Sequence, residues 1–156
     1  MHRLAVAVLI LAFTALGYAM PQPLPKELAD VRWSVNSTVF GDFTCRGQRD
    51  MALYGTSESS GFVVMIQPSR KGAKPSYLVF ATRGREPKNV RLAAEGLDFA
   101  DDVAFKKEVT FVAPGLQSSK TCQGLTLGDG ETDAHHIYWN RDKKAFQAWS
   151  DRKSVV

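Results

Sequence analysis

From residue 35 onward the chain consists of short runs of β-branched and aromatic residues, each bounded by Gly, Pro, Asn, Asp or Ser. Such runs are typical of β-strands, because a helix needs a longer segment with apolar residues at helical spacing. The runs predict strands at residues 51–55, 61–67, 76–82, 89–95, 108–113, 124–127, 134–140 and 144–150. We therefore expect a mainly β fold over residues 35 to 156, a single antiparallel sheet domain of sandwich or barrel-like form.

Two connections in this pattern predict β-hairpins. The small polar residues and the glycine of "TSESSG", residues 56 to 61, join the first two strands, and "NRDK", residues 140 to 143, joins the last two. Gly, Asn, Asp and Ser suit such connections because they adopt turn conformations or bond to the nearby backbone. Residues 96 to 107 carry no clear pattern, and we expect a loop there.

The N-terminal segment has the pattern of a secretory signal. Arg3 is followed by an apolar run over residues 4 to 15 and by the small residues of "GYA", so we expect a signal peptide over residues 1 to 19. Residues 20 to 34 form a Pro-rich lead-in, with a short helix expected around residues 26 to 31. These features predict a periplasmic or secreted protein with no membrane span after the signal is removed.

The chain has two cysteines, Cys45 and Cys122. In an exported protein an even pair favours a disulfide, and neither residue has the neighbouring Cys or His that a zinc site requires. Closing a loop of this length would stabilise the fold by roughly 4 kcal/mol on the chain-entropy model. Catalysis by a free thiol would need a nearby base, which the local sequence does not supply.

The basic residues outnumber the acidic residues only slightly, with 20 Lys and Arg against 16 Asp and Glu. They are spread along the chain and form no block interleaved with aromatic residues. A nucleic-acid-binding surface requires such clustering. We therefore expect no nucleic-acid partner.

Residues 42 to 50 have the spacing of a calcium-binding loop but lack its middle ligands. Asp42 and Asp50 stand at the first and ninth positions, and Gly47 stands at the sixth. Calcium needs about six to eight oxygen ligands, whereas Thr44 and Arg46 occupy the third and fifth positions. We expect a structural loop without a cofactor, in which Arg46 forms an ion pair with Asp42 or Asp50.

A second stretch, "LGDGETDAHHIYWN", partly repeats this pattern. Gly130 matches Gly47, and Asp133 matches Asp50. The glycine in each copy is expected to adopt a positive φ, and the following aspartate is expected to accept backbone N–H bonds in the turn.

The stretch "GDFTCRGQRDMALYG" followed by "GFVVMIQ", residues 41 to 67, resembles one degenerate repeat of the FG-GAP type found in integrin-like β-propeller blades. The matching residues are Gly41, Asp42, Phe43, Gly47, Asp50 and Ala52. The resemblance implies a strand–turn–strand unit, and the chain is too short for a whole propeller. The complete chain also resembles small exported proteins of Gram-negative bacteria that end in a similar "GDGETD…IYWN" segment, a group that implies no established activity.

The acidic and histidine residues of "DGETDAHH" are the strongest candidates for chemistry. Along a strand, Asp133 and His135 share a face, whereas His136 points to the other side. Asp129, Asp133 and His135 are therefore weak candidate metal ligands, although no H-x-H or H-x-x-x-H spacing is present. The alternative is that the two aspartates order the turn and a histidine is half-buried.

Aromatic residues on the last two strands provide candidate binding residues: Tyr138, Trp139 and Trp149. Large rings usually belong to the core, but exposed rings suit protein contacts. We expect an exported, non-catalytic binding protein that acts on another envelope or secreted protein, inhibition of a hydrolase being one form of that action. The alternatives are a small metal-dependent hydrolase centred on Asp133 and His135, and a subunit that completes its sheet with a partner's edge strand.

Overall fold

The computed structural model of the protein describes residues 25 to 81, 89 to 98, 113 to 130 and 134 to 150. Its strands are β1 (Arg32–Trp33), β2 (Val39–Gly41), β3 (Asp50–Ser57), β4 (Gly61–Gln67), β5 (Ser76–Phe80), β6 (Arg91–Leu97), β7 (Ser119–Gly128), β8 (His135–Asn140) and β9 (Ala145–Ser150). Two short 3₁₀ turns precede the longer strands, at Lys26–Leu28 and Val35–Ser37.

The strands form two antiparallel sheets. The first has the order β1-β3-β4-β5, and β2 pairs with the same edge of β3 as β1 does, further along the strand. The second sheet is a meander of β6, β7, β8 and β9 in chain order. Consecutive strands of the chain pair as neighbours from β2 to β5 in the first sheet and throughout the second, as is usual for antiparallel strands.

The two sheets pack face to face around one apolar core. Alternate residues of each strand point inward, as the two-residue period of a strand requires. The core residues are Phe43, Ala52, Phe62, Val64, Ile66, Leu92, Leu125, Leu127 and Ile137, all buried. Burying each of the larger side chains contributes about 1.5 to 3 kcal/mol. The architecture is therefore a β-sandwich.

The lead-in before β1 covers the outer face of the first sheet. Leu28 and Val31 pack there against Val63 of β4. At Gly55 of β3 a Cβ atom would lie 2.5 Å from the Val31 side chain and 2.9 Å from the Arg32 carbonyl oxygen. Only a glycine lets the lead-in approach β3 this closely.

The mainly β, antiparallel fold predicted from the sequence is confirmed, and of the two expected forms it is the sandwich. Both predicted hairpins are present, between β3 and β4 and between β8 and β9. β6 runs two residues into the segment expected to be a loop, and β1 and β2 were not predicted. The signal peptide and most of the predicted strand at residues 108 to 113 lie outside the described residues.

Of the segment expected to form a short helix, Lys26–Leu28 is a 3₁₀ turn. In the described part of the chain, no helix has the length and apolar character needed to cross a bilayer.

Candidate binding site

The loop between β2 and β3, residues 42 to 49, is ordered at its start by Asp42. The carboxylate of Asp42 accepts hydrogen bonds from the backbone N–H of Arg46 at 2.8 Å and of Gly47 at 2.8 Å. Gly47 has a φ of 69°, the positive value predicted for it. The carboxylate therefore orders the loop by binding backbone donors four and five residues further along the chain.

The end of the same loop is held by Asp50, whose side chain is buried. One oxygen of Asp50 accepts bonds from the backbone N–H of Thr44 at 2.9 Å and from its hydroxyl at 2.7 Å. The other oxygen accepts a bond from the backbone N–H of Ser69 at 3.0 Å. The turn-ordering role predicted for Asp50 is confirmed, and its three donors offset the cost of burying the carboxylate.

The predicted disulfide between Cys45 and Cys122 is confirmed, with their Cα atoms 4.7 Å apart. It ties the loop to β7 of the second sheet. Beside it, the backbone N–H of Gln123 donates to the carbonyl oxygen of Asp42 at 3.1 Å. One covalent bond and one hydrogen bond therefore fix the loop against the opposite sheet.

The hairpin turn at residues 141 to 144 faces this loop and is ordered by the buried Asn140. The side-chain oxygen of Asn140 accepts bonds from the backbone N–H groups of Asp142 and Lys143, both at 3.0 Å. Its amide nitrogen donates to the carbonyl oxygen of Pro114 at 3.0 Å and to the side-chain oxygen of Gln147 at 2.7 Å. A single buried amide thereby fixes the turn to β9 and to the segment before β7.

Between the loop and the turn lies a cleft of about 580 Å³, which we call the cationic cleft. Its lining residues are Thr44, Cys45, Arg46, Trp139, Arg141 and Lys144. Among these described lining residues there are three cations and no carboxylate. Positive charges gathered without an internal counter-charge produce a positive potential that attracts anions.

Trp139 forms the apolar wall of the cationic cleft. The Arg46 guanidinium carbon lies 5.9 Å from the centroid of its ring, within the range of a cation–π interaction. On the neighbouring strand, Phe146 packs edge-on against the indole with ring centroids 4.9 Å apart. The predicted ion pair of Arg46 with Asp42 or Asp50 is wrong: its backbone N–H binds Asp42, and its guanidinium lies by Trp139.

The structure does not bring the three predicted aromatic binding residues together. Trp139 lines the cationic cleft, whereas Tyr138 and Trp149 lie on the opposite face of the second sheet. Tyr138 is buried, and its hydroxyl donates to the carbonyl oxygen of Pro114 at 3.1 Å. The two-residue period of a strand already separates residues 138 and 139 onto different faces.

Of the candidate metal ligands, Asp133 lies outside the described residues. Asp129 is half-buried just after β7. The His135 ring stacks on Phe80 with centroids 4.5 Å apart, and its Nδ1 lies 2.6 Å from the Ser150 hydroxyl. Over the described ranges, no group of three or more His, Cys, Asp or Glu residues is placed to hold a metal. The metal-dependent hydrolase stays a prediction, because Asp133 is not described.

A polar cluster on the outer face of the second sheet was not predicted. Nδ1 of His136 lies 2.9 Å from a carboxylate oxygen of Glu95, and the Thr126 hydroxyl donates to the same carboxylate. Trp149 stacks on the His136 ring with centroids 4.2 Å apart. Nε2 of His136 is buried, so this nitrogen does not face a substrate in solvent. These contacts make the cluster a packing feature.

The sequence indicated Trp139 but not the three cations around it. Arg141 belongs to the predicted hairpin turn and Lys144 begins the strand predicted after it, and basic residues at such exposed positions usually face solvent without a specific role. Arg46 is distant from both in the chain, and only the packing of the two sheets brings it near Trp139. The available signal in the sequence was a pair of cations, one at each end of a turn that follows a tryptophan.

Comparisons with known proteins give no guide to the function of this chain. It matches no family model, no curated protein and no solved structure. The function therefore has to be inferred from the contacts, charges and burial of its own residues.

Proposed function

We propose that the chain is an exported, non-catalytic binding protein that acts on another protein of the cell envelope or the medium. Its contact surface is the cationic cleft. The observation that carries this proposal is the grouping of Arg46, Arg141 and Lys144 around the indole of Trp139. Arginine and tryptophan are enriched among the residues that dominate protein–protein binding energy.

The order of the cleft walls supports a binding role over an ordinary solvated surface. The loop wall is fixed by the disulfide of Cys45 and by the carboxylates of Asp42 and Asp50. The turn wall is fixed by the four hydrogen bonds of Asn140. A surface that is already ordered loses less conformational entropy on binding, which leaves more of the contact energy as affinity.

The proposed cellular location, outside the cytoplasm, is supported by the disulfide and by the N-terminal sequence. Disulfides form and persist in oxidising compartments, so the Cys45–Cys122 bond fits a protein that folds outside the cytoplasm. The signal-like residues 1 to 19 favour the periplasm or the medium. A partner in these compartments could be an envelope protein or a secreted hydrolase that the chain inhibits.

The experiment that tests the proposal starts from the exported protein, used as bait in an envelope extract and in the culture medium. Proteins retained by the wild type are identified and purified, and their affinity is then measured by calorimetry. The cleft variant is Arg141→Ala with Lys144→Ala, two exposed residues whose truncation leaves the core intact. Lys143→Ala, in the same turn but outside the cleft lining, is the matched control.

A retained protein that binds the cleft variant at least about tenfold more weakly than the Lys143→Ala control supports the proposal. Equal binding to both variants would show that the contact surface lies elsewhere. Absence of any specific partner, combined with a hydrolytic activity that a chelator removes, would move the metal-dependent hydrolase ahead.

A further inference from the structure

We infer that the cationic cleft receives an acidic segment of the protein partner, with Asp or Glu carboxylates placed between Arg46, Arg141 and Lys144. This inference rests on the proposed function and names the chemistry of the partner. The apolar part of the same segment lies against the indole of Trp139.

The charge of the cleft is the first reason. Three cations line it, and no carboxylate is among the described lining residues. Of the carboxylates near these cations in the chain, Asp42 and Asp50 accept hydrogen bonds from the loop and from Ser69, and Asp142 lies in the turn outside the cleft lining. In the unbound protein the cleft cations therefore attract solvent anions, and a bound carboxylate replaces those anions.

The type of cation is the second reason. Two of the three are arginines, whose planar guanidinium groups match the two oxygens of a carboxylate. Arg46 is held next to the Trp139 ring, and Arg141 begins the ordered turn that Lys144 ends. The donors therefore come from both walls of the cleft and surround a ligand from two sides.

The size of the cleft and the overall charge favour a peptide segment over a charged polymer. A volume of about 580 Å³ accommodates a few side chains. Binding along a polymer would need a continuous basic surface, but the whole chain carries 20 basic against 16 acidic residues. Trp139 also gives the aliphatic part of a Glu side chain an apolar surface on which to pack.

The test follows the indole N–H signal of Trp139 by NMR, which detects weak binding and reports from inside the cleft. Trp139→Phe assigns that signal among the three tryptophans of the chain. The probes are hexaglutamate, an uncharged Gly-Ser peptide of the same length, and a hexamer of galacturonic acid as a carboxylated glycan. Each probe is titrated to about 10 mM, first in about 0.05 M NaCl and then in about 0.5 M NaCl. The higher salt concentration shortens the screening length.

The protein variants are the charge reversals Arg141→Glu with Lys144→Glu, and Lys143→Glu alone as the control. We expect hexaglutamate to shift the Trp139 signal at low salt and the Gly-Ser peptide to leave it in place. The double reversal should weaken hexaglutamate binding by about 100-fold or more, and the control by less than about threefold. High salt should also weaken binding by about tenfold or more.

Three outcomes overturn the inference. They are no shift with hexaglutamate, equal binding of hexaglutamate to the double reversal and the control, and a shift with the galacturonate hexamer alone. If the purified partner binds the cleft but hexaglutamate does not, this inference fails and the proposed function stands. If hexaglutamate binds the cleft but no protein partner is found, the proposed function is the part that fails.

Discussion

Replacing both Cys45 and Cys122 by alanine should cost a large part of the stability of the fold. The disulfide closes a segment with a sequence separation of 77 residues. On the chain-entropy model, a loop of this length lowers the entropy of the unfolded chain by about 15 cal/mol/K, which corresponds to about 4.5 kcal/mol at 25 °C. The native loop keeps its other contacts, because Asp42, Asp50 and the Gln123 N–H do not depend on the sulfur atoms.

The assay is urea unfolding of the wild type and the double alanine variant, followed by tryptophan fluorescence. With a urea dependence of about 1.5 kcal/mol/M, the loss corresponds to a midpoint lower by about 3 M. Reducing the wild type with a thiol should lower the midpoint by a similar amount, which controls for the small change in core volume at the buried Cys122. A loss below about 1 kcal/mol with an unchanged urea dependence would refute the entropic reasoning.

Three further variants test single contacts. Asn140→Ala should lower the free energy of unfolding by about 3 kcal/mol, because it leaves the partners of four hydrogen bonds unpaired. Asn140→Asp keeps the acceptor bonds and removes the two donor bonds, so an unchanged free energy of unfolding in this variant would contradict a role for the amide donors. Asp50→Asn should cost about 2 kcal/mol in urea unfolding, since a carboxylate oxygen facing backbone donors becomes an NH₂ group, and an unchanged midpoint would argue against that geometry. Burial raises the pKa of Tyr138 above its ordinary value of 10.0, so its neutral form is favoured in the fold. The contribution of Tyr138 to stability is full below the pKa of its unfolded state and is lost as the pH rises through the pKa of its folded state. Tyr138→Phe should therefore flatten the fall in the urea unfolding midpoint above about pH 10. Equal slopes for both proteins would contradict this.

Much of the fold follows from local sequence patterns. β3, β4, β8 and β9 have the composition and turn residues that identify hairpins, and the structure contains them. The exceptions are β1 and β2, which have two and three residues. Strands this short show no two-residue alternation, and they exist because each pairs with the long β3. Pairing with a distant part of the chain is information that a local window does not contain.

The candidate site, like the fold, could be predicted from the sequence only in part. The disulfide could be predicted because it depends on compartment and cysteine number, and the role of Asp50 depends on nearby turn residues. The position of the Arg46 side chain could not be predicted, because its guanidinium packs near Trp139, where the two sheets meet. An ion pair with a neighbouring aspartate was the local expectation, yet both carboxylates accept hydrogen bonds from other donors.

The bond between Cys45 and Cys122 also determines what one peptide-bond cleavage can do to the molecule. A protease that cuts once between residues 46 and 121 produces two pieces that remain joined through sulfur. One piece carries Cys45 and the other carries Cys122 together with the hairpin that contains Trp139. The chain can thus be cut once in its middle and still keep both walls of its cleft in one covalently joined molecule.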